Sequence, residues 1–366
     1  MKLTKLIYMS VLLCAAIGGA GFANAKDKQK TCKSGCVTDT AFVKEKMQQV
    51  CSWQLANPVE LNAKQEQWAR SAFYTGQMYA FRHTGDSTYL RNTLKWGEGW
   101  DWKRGHRYRH ADDLACGQAY LDAYDATGDA KMLKPIRASV DSLIADPVRG
   151  RKDWWWCDAL FMEPPVLARL ARITGDKVYL DYMQDKYADA VNYLYCRQDS
   201  LFYRDKRFFS TRTKNGHKVF WGRGNAWVIA GLAQVLDIVP PTHPSYEYYK
   251  DLYTEMCEKL IKLQQPDGLW RASLLDPDEV PVKETSSSGY IAYALAWGVN
   301  SGLLPADVYK PSVKKAWHAI LECVDRDGKL GYVQPIGASP ETVLPSDNQE
   351  YGSGAFLMLA SEILKL

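Results

Sequence analysis

Apolar residues recur at spacings of three and four along most of the chain, and the strict alternation that is typical of strands is rare. This period is that of an amphipathic α-helix. The pattern predicts about twelve helices, separated by loops rich in Gly, Pro and Asp. Their approximate ranges are 36–56, 64–83, 87–99, 112–126, 130–145, 164–173, 177–195, 225–237, 245–264, 286–300, 309–324 and 352–365.

A three-residue repeat links successive predicted helices. It occurs as Thr84-Gly85-Asp86, Thr127-Gly128-Asp129 and Thr174-Gly175-Asp176, at intervals of 43 and 47 residues. The Gly suits a left-handed C-terminal cap, and the Asp suits the start of the following helix. Each interval has the length of one helical hairpin, so the repeat predicts an array of hairpins.

A second, looser repeat lies in longer loops, at Asp199-Ser200-Leu201, Asp267-Gly268-Leu269 and Asp327-Gly328-Lys329. Short turns would then lie at one end of the hairpins, and long, aromatic-bearing loops at the other. Six hairpins closed into a ring form an all-α (α/α)6 barrel, with a cleft at the long-loop end. An open solenoid is the alternative. The apolar character of both helices in most pairs favours closure.

The N-terminus has the features of a secretory signal peptide. Lys2 and Lys5 precede an apolar run, and Ala23-Asn24-Ala25 matches a cleavage site. The run is short for a membrane span. We therefore expect cleavage after Ala25, export to the periplasm or medium, and one barrel domain over residues 26–366.

The charge balance excludes several classes of protein. Without residues 1–25 the chain carries 44 basic against 42 acidic residues, a net charge of +2. A nucleic-acid-binding protein normally has a strongly basic face. The chain has no second long apolar run that would indicate membrane insertion, and it contains no Cys-x-x-Cys pair of the kind that holds structural zinc. We expect no structural zinc site, and a monomer or weak homodimer.

The segment RKDWWWCDALFMEPP, from Arg151 to Pro165, is the first candidate site. Its three consecutive tryptophans cannot all face the same way. Aromatic faces beside one carboxylate, Asp158, suit a sugar site, because a dry pocket favours the protonated form that a general acid needs. The alternative is that Asp158 caps the following helix while the tryptophans fill the space between helices.

The segment His110-Ala111-Asp112-Asp113-Leu114 is the second candidate, at the start of a predicted helix. Either Asp112 or Asp113 could be the N-cap. A cap needs only one of them, which leaves the other free to face a cleft. With His110 and the basic stretch before it, the segment suits an anionic ligand, although a solvated charged loop would have the same composition.

The segment FWGRGNAW, residues 220–227, is the third candidate. Glycines on both sides would leave Arg223 accessible, and its planar fork matches a carboxylate. Packing at a helix start is the alternative, but we favour carboxylate recognition. The small-residue segments after Glu284 and Glu350 instead indicate helix starts where backbones approach closely, and neither is assigned a catalytic role.

Five blocks taken together resemble the unsaturated rhamnogalacturonyl hydrolases, glycoside hydrolase family 105. The resemblance runs in order from about Trp68 to the C-terminus and implies the (α/α)6 barrel. The blocks are HADDLACGQAYLDAY, WWWCDALFMEPPVLARLARITGD, FWGRGNAWVIAGLAQVL, ETSSSGYIAYALAWGVNSGLL and YGSGAFLMLASEI.

The resemblance implies an unusual glycosidase that acts on pectin (rhamnogalacturonan) fragments produced by lyases. Such fragments carry a 4-deoxy-4,5-unsaturated galacturonyl residue at the non-reducing end. An acid protonates C4, water adds at C5, and the resulting hemiketal opens and expels the neighbouring sugar. The usual carboxylate pair flanking the anomeric bond is then not required. The resemblance also implies that neither a metal nor an organic cofactor is needed.

The resemblance also implies roles for individual residues. Asp158 matches the general acid/base, and Asp113 matches a second carboxylate that positions water or substrate. The adjacent Asp112 keeps that alignment open by one residue. Arg223 matches the residue that binds the uronyl carboxylate. The implied aromatic contacts to the sugar are Trp156, Trp221, Trp227 and, in a weaker block, Tyr74.

One position departs from the family pattern. Some members carry a His in the loop corresponding to LFYRD, where this chain has Arg204. The role of that His is then lost, shared by Arg204, or moved to His217. A basic residue here would favour a more anionic or sulfated aglycone. The alternatives to the main hypothesis are an unsaturated glucuronyl hydrolase, an inactive sugar-binding relative, and a polysaccharide lyase on a similar barrel.

Overall fold

The computed structural model describes residues 37–62, 66–148 and 151–366, so the predicted signal peptide lies outside the described residues. The helices of this part are α1 (Thr40–Ala56), α2 (Glu66–Thr84), α3 (Ser87–Gly99), α4 (Ala111–Leu114), α5 (Cys116–Thr127), α6 (Lys134–Ala145), α7 (Ala159–Met162), α8 (Pro164–Thr174), α9 (Val178–Leu194), α10 (Gly222–Ile238), α11 (Tyr246–Lys262), α12 (Thr285–Asn300), α13 (Ala306–Leu321) and α14 (Glu350–Ile363). A small antiparallel ribbon joins β1 (Tyr195–Cys196) to β2 (Leu201–Phe202).

Each of the twelve predicted helical segments overlaps a helix of the structure. The predicted segment 112–126 is divided at Ala115 into α4 and α5. The short helix α7 was not predicted, because four residues are too few to show a helical period.

Six helices form a closed inner ring in the order α2, α5, α8, α10, α12 and α14, and α14 packs directly against α2. The other long helices lie outside this inner ring. Helices α3, α9, α11 and α13 each pack on the inner helix before them in the chain, and α1 packs on α14. The protein is therefore an (α/α)6 barrel, as predicted, and the closure rules out an open solenoid. Within the described part, no helix is both long and apolar enough to cross a membrane.

Glycines allow the inner helices to approach closely. A Cβ atom on Gly76 of α2 would lie 2.6 Å from the carbonyl oxygen of Gly354 in α14, and one on Gly289 of α12 would lie 2.9 Å from Cβ of Ala355. Glu284 caps α12 by accepting hydrogen bonds from the N–H groups of Ser286 and Ser287. These contacts support the prediction of structural helix starts at both segments.

The Thr-Gly-Asp repeat forms the same turn three times. Its glycines, Gly85, Gly128 and Gly175, have φ of 71°, 72° and 75°. In each copy the Thr hydroxyl accepts a hydrogen bond from the Asp N–H, and the Asp carboxylate accepts one from the N–H two residues later. The turns join α2 to α3, α5 to α6 and α8 to α9, and their left-handed glycines are confirmed. The predicted Asp cap is confirmed only for α3, where Asp86 is the N-cap, because the N-cap positions of α6 and α9 are Leu133 and Lys177.

The opposite end of the barrel carries the long loops. The looser repeat lies in this set, and its turns place Ser200, Gly268 and Gly328 at φ of 52°, 93° and 101°. These loops lead into the N-terminal ends of the inner helices. All three candidate segments of the sequence lie at that end, where the chain enters α5, α8 and α10.

Candidate active site

A cavity of ≈ 140 Å³ opens among the N-terminal ends of the inner helices. It brings together residues from all three candidate segments. The lining residues are Trp68, Asp112, Trp156, Asp158, Met162, Arg204, Trp221, Arg223, Trp227, Ile336 and Gly337. The lining therefore combines two carboxylates, two guanidinium groups and four indole rings.

The three consecutive tryptophans have three different environments. Trp154 is buried and donates a hydrogen bond from Nε1 to Glu163 at 2.8 Å. Trp155 is 40 % exposed, whereas Trp156 is buried and lines the cavity. The expectation that they cannot share one face is confirmed, and only one of them serves the cavity.

Asp158 lies at the N-cap position of α7, but its side chain makes no capping hydrogen bond. Its Oδ2 instead accepts a hydrogen bond from Nε of Arg204 at 3.2 Å. The capping explanation for this residue is therefore wrong. The carboxylate faces the cavity, with a guanidinium group beside it.

Asp112, and not Asp113, supplies the second carboxylate of the cavity. Asp113 is 1 % exposed, and its oxygens accept hydrogen bonds from the backbone N–H and Nε of Arg107 at 2.6 and 2.9 Å. A Cβ atom on Gly105 would lie 2.5 Å from Cγ of Asp113, so the preceding loop covers it completely. This corrects the assignment of Asp113, because its charge is already satisfied inside the protein. Neither Asp caps α4.

The pKa of Asp112 is raised from 3.8 to about 7. Burial is the main cause, and the negative charge of Asp158 adds to it. Arg107 opposes the shift, with Nη2 lying 3.7 Å from Oδ2 of Asp112. Near neutral pH the cavity therefore holds a carboxyl group that is partly protonated.

His110 packs behind the cavity. Its ring centroid lies 4.6 Å from that of Trp156, and its Nδ1 lies 3.5 Å from Oδ2 of Asp112. Burial and the nearby charge of Arg107 lower the pKa of His110 to about 4. It is therefore a neutral support for Trp156 and Asp112, and not one of the lining residues.

Arg223 is enclosed, contrary to the expectation of an accessible guanidinium. It is 1 % exposed and packs against the rings of Trp221 and Tyr351, at 4.5 and 4.9 Å from their centroids. Nη1 donates to the carbonyl of Gln334 at 2.6 Å, and Nη2 donates to that of Pro335 at 2.8 Å. Its terminal nitrogens thus hold the loop before α14. Nε is buried and has no hydrogen-bond partner among the described residues.

The predicted aromatic wall lies in the cavity. The three tryptophans concerned are Trp156, Trp221 and Trp227. Trp68, which no sequence motif had indicated as a site residue, also lines the cavity and stacks on Tyr351 with ring centroids 5.4 Å apart. Its position in the first turn of an inner helix, at the long-loop end, was the available signal.

Tyr74 does not line this cavity. It lies further along α2 and stacks on Trp96 of the outer helix α3, with ring centroids 4.3 Å apart. Since it packs between the inner and outer layers, the predicted contact with the sugar is not supported by its position.

Arg204 links the cavity to the adjoining loop. Its Nε donates to Asp158, and its Nη1 donates to Asp205 at 2.7 Å. Burial opposes ionisation of Asp205, but hydrogen bonds from Arg207 and Arg204 lower its pKa to about 2. Asp205 therefore remains a carboxylate that anchors both arginines.

Two carboxylates in an aromatic cavity at the open end of an (α/α)6 barrel define a protein of the carbohydrate-cleaving class. Residues 41–366 match the model of Glycosyl Hydrolase Family 88. The chain belongs to this family and is a glycoside hydrolase.

Similar proteins support the same class. A relative from Formosa agariphila, named unsaturated 3S-rhamnoglycuronyl hydrolase, is 39% identical in an alignment of 348 positions that covers 88% of this chain and 91% of the relative. A solved family 88 glycosyl hydrolase from Bacteroides vulgatus is 30% identical, with a TM-score of 0.83 over 88% of this chain and 99% of that one. A structure titled a polysaccharide lyase is 32% identical, with a TM-score of 0.82 over 88% of this chain and 97% of that one. The recognition of an unsaturated uronyl hydrolase type is thereby confirmed.

Proposed function

We propose that the protein removes a 4-deoxy-4,5-unsaturated uronyl residue from the non-reducing end of oligosaccharides that lyases produce. The observation that carries the proposal is the pair Asp112 and Asp158 in one aromatic cavity, with the pKa of Asp112 raised to about 7. Protonation of an enol ether needs an acid that retains its proton near neutral pH. The name of the relative from Formosa agariphila supports the same substrate class.

The reaction follows from the chemistry of the enol ether. The electrons of the C4=C5 bond take a proton from the carboxyl pair at C4, and the ring oxygen stabilises the positive charge at C5. Water adds at C5 and returns a proton to the pair. The hemiketal then opens and releases the neighbouring sugar, so the net reaction consumes one water molecule.

We assign proton delivery at C4 to Asp158, as the resemblance implies. Asp112 is the proton reserve of the cavity, because burial and the charge of Asp158 raise its pKa to about 7 and it still holds a proton near neutral pH. That proton can replace the one that Asp158 delivers.

The carboxylate of the uronyl residue meets positive charge on two sides of the cavity. Arg204 lies beside Asp158, and Arg223 lies on the aromatic wall with Nε unpartnered among the described residues. The partners of Arg223 are neutral backbone carbonyls, whereas Arg204 already contacts the carboxylates of Asp158 and Asp205. We therefore assign recognition of the uronyl carboxylate to both arginines.

The sugar next to the unsaturated residue is proposed to be rhamnose, from the name of the 39% identical relative. Rhamnogalacturonan fragments of pectin satisfy this proposal, and rhamnose-linked unsaturated glucuronyl fragments satisfy it equally. A panel of lyase products with each uronyl residue distinguishes them. Purified protein should remove the ultraviolet absorbance of the enol ether on at least one of these substrates. No loss on any unsaturated uronyl substrate would overturn the proposal.

A polysaccharide lyase is the second candidate, because one solved structure at 32% identity carries that title. A lyase creates unsaturated ends, so the absorbance would rise on an intact polysaccharide. A hydrolase makes it fall on a lyase-treated one. The sign of the change decides between the two reactions.

The place of action is proposed to be outside the cytoplasm. Lys2, the apolar run and the Ala23-Asn24-Ala25 pattern support an exported protein, periplasmic or secreted. N-terminal sequencing of the protein from its native cells tests this proposal. A mature chain that begins at Lys26 supports it, whereas an intact Met1 would contradict it.

A further inference from the structure

A second and larger opening adjoins the catalytic cavity. It has a volume of ≈ 530 Å³, against ≈ 140 Å³ for the cavity itself. We name it the cationic cleft. Its lining residues are Arg151, Trp155, Tyr193, Asp205, Lys206 and Arg207.

Positive charge predominates in the cationic cleft. It has three cationic side chains and one carboxylate, and Asp205, at 1 % exposure, is already engaged by Arg204 and Arg207. The side chain of Arg207 remains 60 % exposed. Arg151 pairs with an exposed carboxylate on α9, Asp189, at 3.2 Å. The cleft therefore presents more positive charge than its own carboxylate neutralises.

The cationic cleft also presents aromatic surface to solvent. Trp155 is 40 % exposed, although burying an indole ring is normally favourable. The guanidinium of Arg151 lies 4.0 Å from the ring centroid of Tyr193, which holds a cation over a second aromatic side chain. Flat apolar faces combined with cations suit a sugar that carries acidic groups.

The cationic cleft lies next to the catalytic cavity. The ring centroid of Trp155 lies 4.8 Å from that of Trp156, which lines the cavity. Arg204 lies between them, with Cζ 5.5 Å from the ring centroid of Trp155 and Nε bound to Asp158. A chain leaving the cavity beside Arg204 reaches Trp155 directly.

We propose that the cationic cleft binds anionic groups, sulfate esters or uronate carboxylates, on the sugars that follow the unsaturated residue. Arg151, Lys206 and Arg207 recognise the charge, and Trp155 supports the sugar ring. This proposal rests on the proposed function for the direction of the chain, but binding at the cleft is measurable without hydrolysis. It gives the protein a specificity for the leaving oligosaccharide that the small cavity alone does not provide.

The test uses calorimetric binding of three saturated oligosaccharides of equal length: a sulfated one, its desulfated counterpart and an oligogalacturonate. The wild-type protein should bind at least one anionic probe more tightly than the neutral one. Preference for the sulfated probe identifies sulfate as the recognised group, and preference for the oligogalacturonate identifies the carboxylate. Equal affinity for all three probes, or no binding of either anionic one, would overturn the proposal.

The variant Arg151→Gln with Lys206→Gln removes two charges of the cleft. Affinity for the preferred anionic probe should fall about tenfold, since each exposed ion pair contributes a factor of a few. The wild-type preference should also weaken with added salt. The matched control, Arg137→Gln with Lys177→Gln, removes the same charge elsewhere on the surface. Unchanged affinity in the cleft variant, or an equal loss in the control, would contradict the proposal.

The same variants separate the cleft from the reaction. With unsaturated substrates, the ratio of kcat/KM for an anionic aglycone to that for a neutral one should fall about tenfold in the cleft variant and stay constant in the control. If the wild-type protein hydrolyses neither substrate, the proposed function fails. In that case the calorimetric experiment still shows whether the cationic cleft binds anionic groups.

Discussion

Asp112 and Asp113 are neighbours in the chain with opposite environments. Asp113 is covered by the loop at Gly105 and bound by Arg107, whereas Asp112 faces the cavity near Asp158. Burial without a full set of donors raises the pKa of Asp112. A buried carboxyl with a raised pKa is typical of a site whose chemistry requires a proton.

Replacing either cavity carboxyl should stop the reaction. Asp158→Asn and Asp112→Asn should each lower kcat by about 10²–10⁴, the usual contribution of a positioned acid or base. Steady-state rates on an unsaturated substrate measure the loss, and far-ultraviolet circular dichroism serves as the control for folding. Near-normal turnover in Asp158→Asn would show that another group delivers the proton.

Asp112→Asn should also stabilise the protein at neutral pH. The folded-state pKa of Asp112, about 7, lies above the ordinary 3.8, so the folded protein holds the proton more tightly than the unfolded chain. The resulting stability is present below about pH 4 and is lost as pH rises to about 7. The Asp112→Asn variant does not lose this stability as the pH rises, because asparagine has no proton to release.

The measurement is the thermal midpoint of both proteins from pH 4 to 8. The excess for Asp112→Asn should grow up to about pH 7 and then remain constant. A difference that is independent of pH would show that Asp112 is not the group responsible.

At the scale of single elements, the helices follow local signals, but their contacts do not. The Thr-Gly-Asp turns form because hydrogen bonds between near neighbours satisfy the ends of two helices. The break at Ala115 and the four-residue helix α7 carry no such signal. The break and the short helix lie beside the two cavity carboxyls, at the points where the chain enters an inner helix.

Gly354→Ala should destabilise the barrel by about 1–3 kcal/mol, the usual cost of overpacking. Its Cβ atom would clash with the carbonyl oxygen of Ala72 in α2. Alanine favours a helix over glycine by about 1 kcal/mol, so any loss must come from this contact. Chemical denaturation measures the difference.

Gly99→Ala is the matched control, because nothing lies within 4 Å of a Cβ atom at that position in α3. It should leave the stability unchanged or slightly raised. A loss of stability equal to that in Gly354→Ala would refute the packing explanation.

At the scale of the whole molecule, the barrel depends on a contact between its first and last inner helices. Helix α14 packs on α2 and on α12, and it also carries Tyr351, which supports Trp68 and Arg223. Ring closure therefore joins the core to the active site. The sequence of a single hairpin does not specify this contact between the first and last inner helices.

Removing residues 350–366 should prevent stable folding, because α2 and α12 would then expose the apolar surfaces that α14 covers. Limited proteolysis and circular dichroism test this outcome. A chain shortened only by Lys365 and Leu366, beyond the end of α14, is the control and should resist proteolysis like the intact protein. A folded, protease-resistant product of the larger truncation would contradict the role of closure.

Local sequence determined the helices, the hairpin turns and the segments that carry the chemistry, because periodicity and capping act between residues close in the chain. The order of five blocks also indicated the family. Tertiary structure alone decided which aspartate faces the cavity, because the choice depends on the position of Arg107 relative to Gly105 and Asp113.

The environments of Arg204 and Arg223 were likewise decided by the tertiary structure and not by the local sequence. The sequence around Arg223 indicated an open fork, but a loop more than a hundred residues later occupies its terminal nitrogens. In the sequence, Arg204 stood out only as a departure from the family's histidine. The fold shows that it lies between Asp158 and Asp205 and binds both. Hydrogen-bond partners distant in sequence are set only when the ring closes, and they determine which charges remain for a ligand.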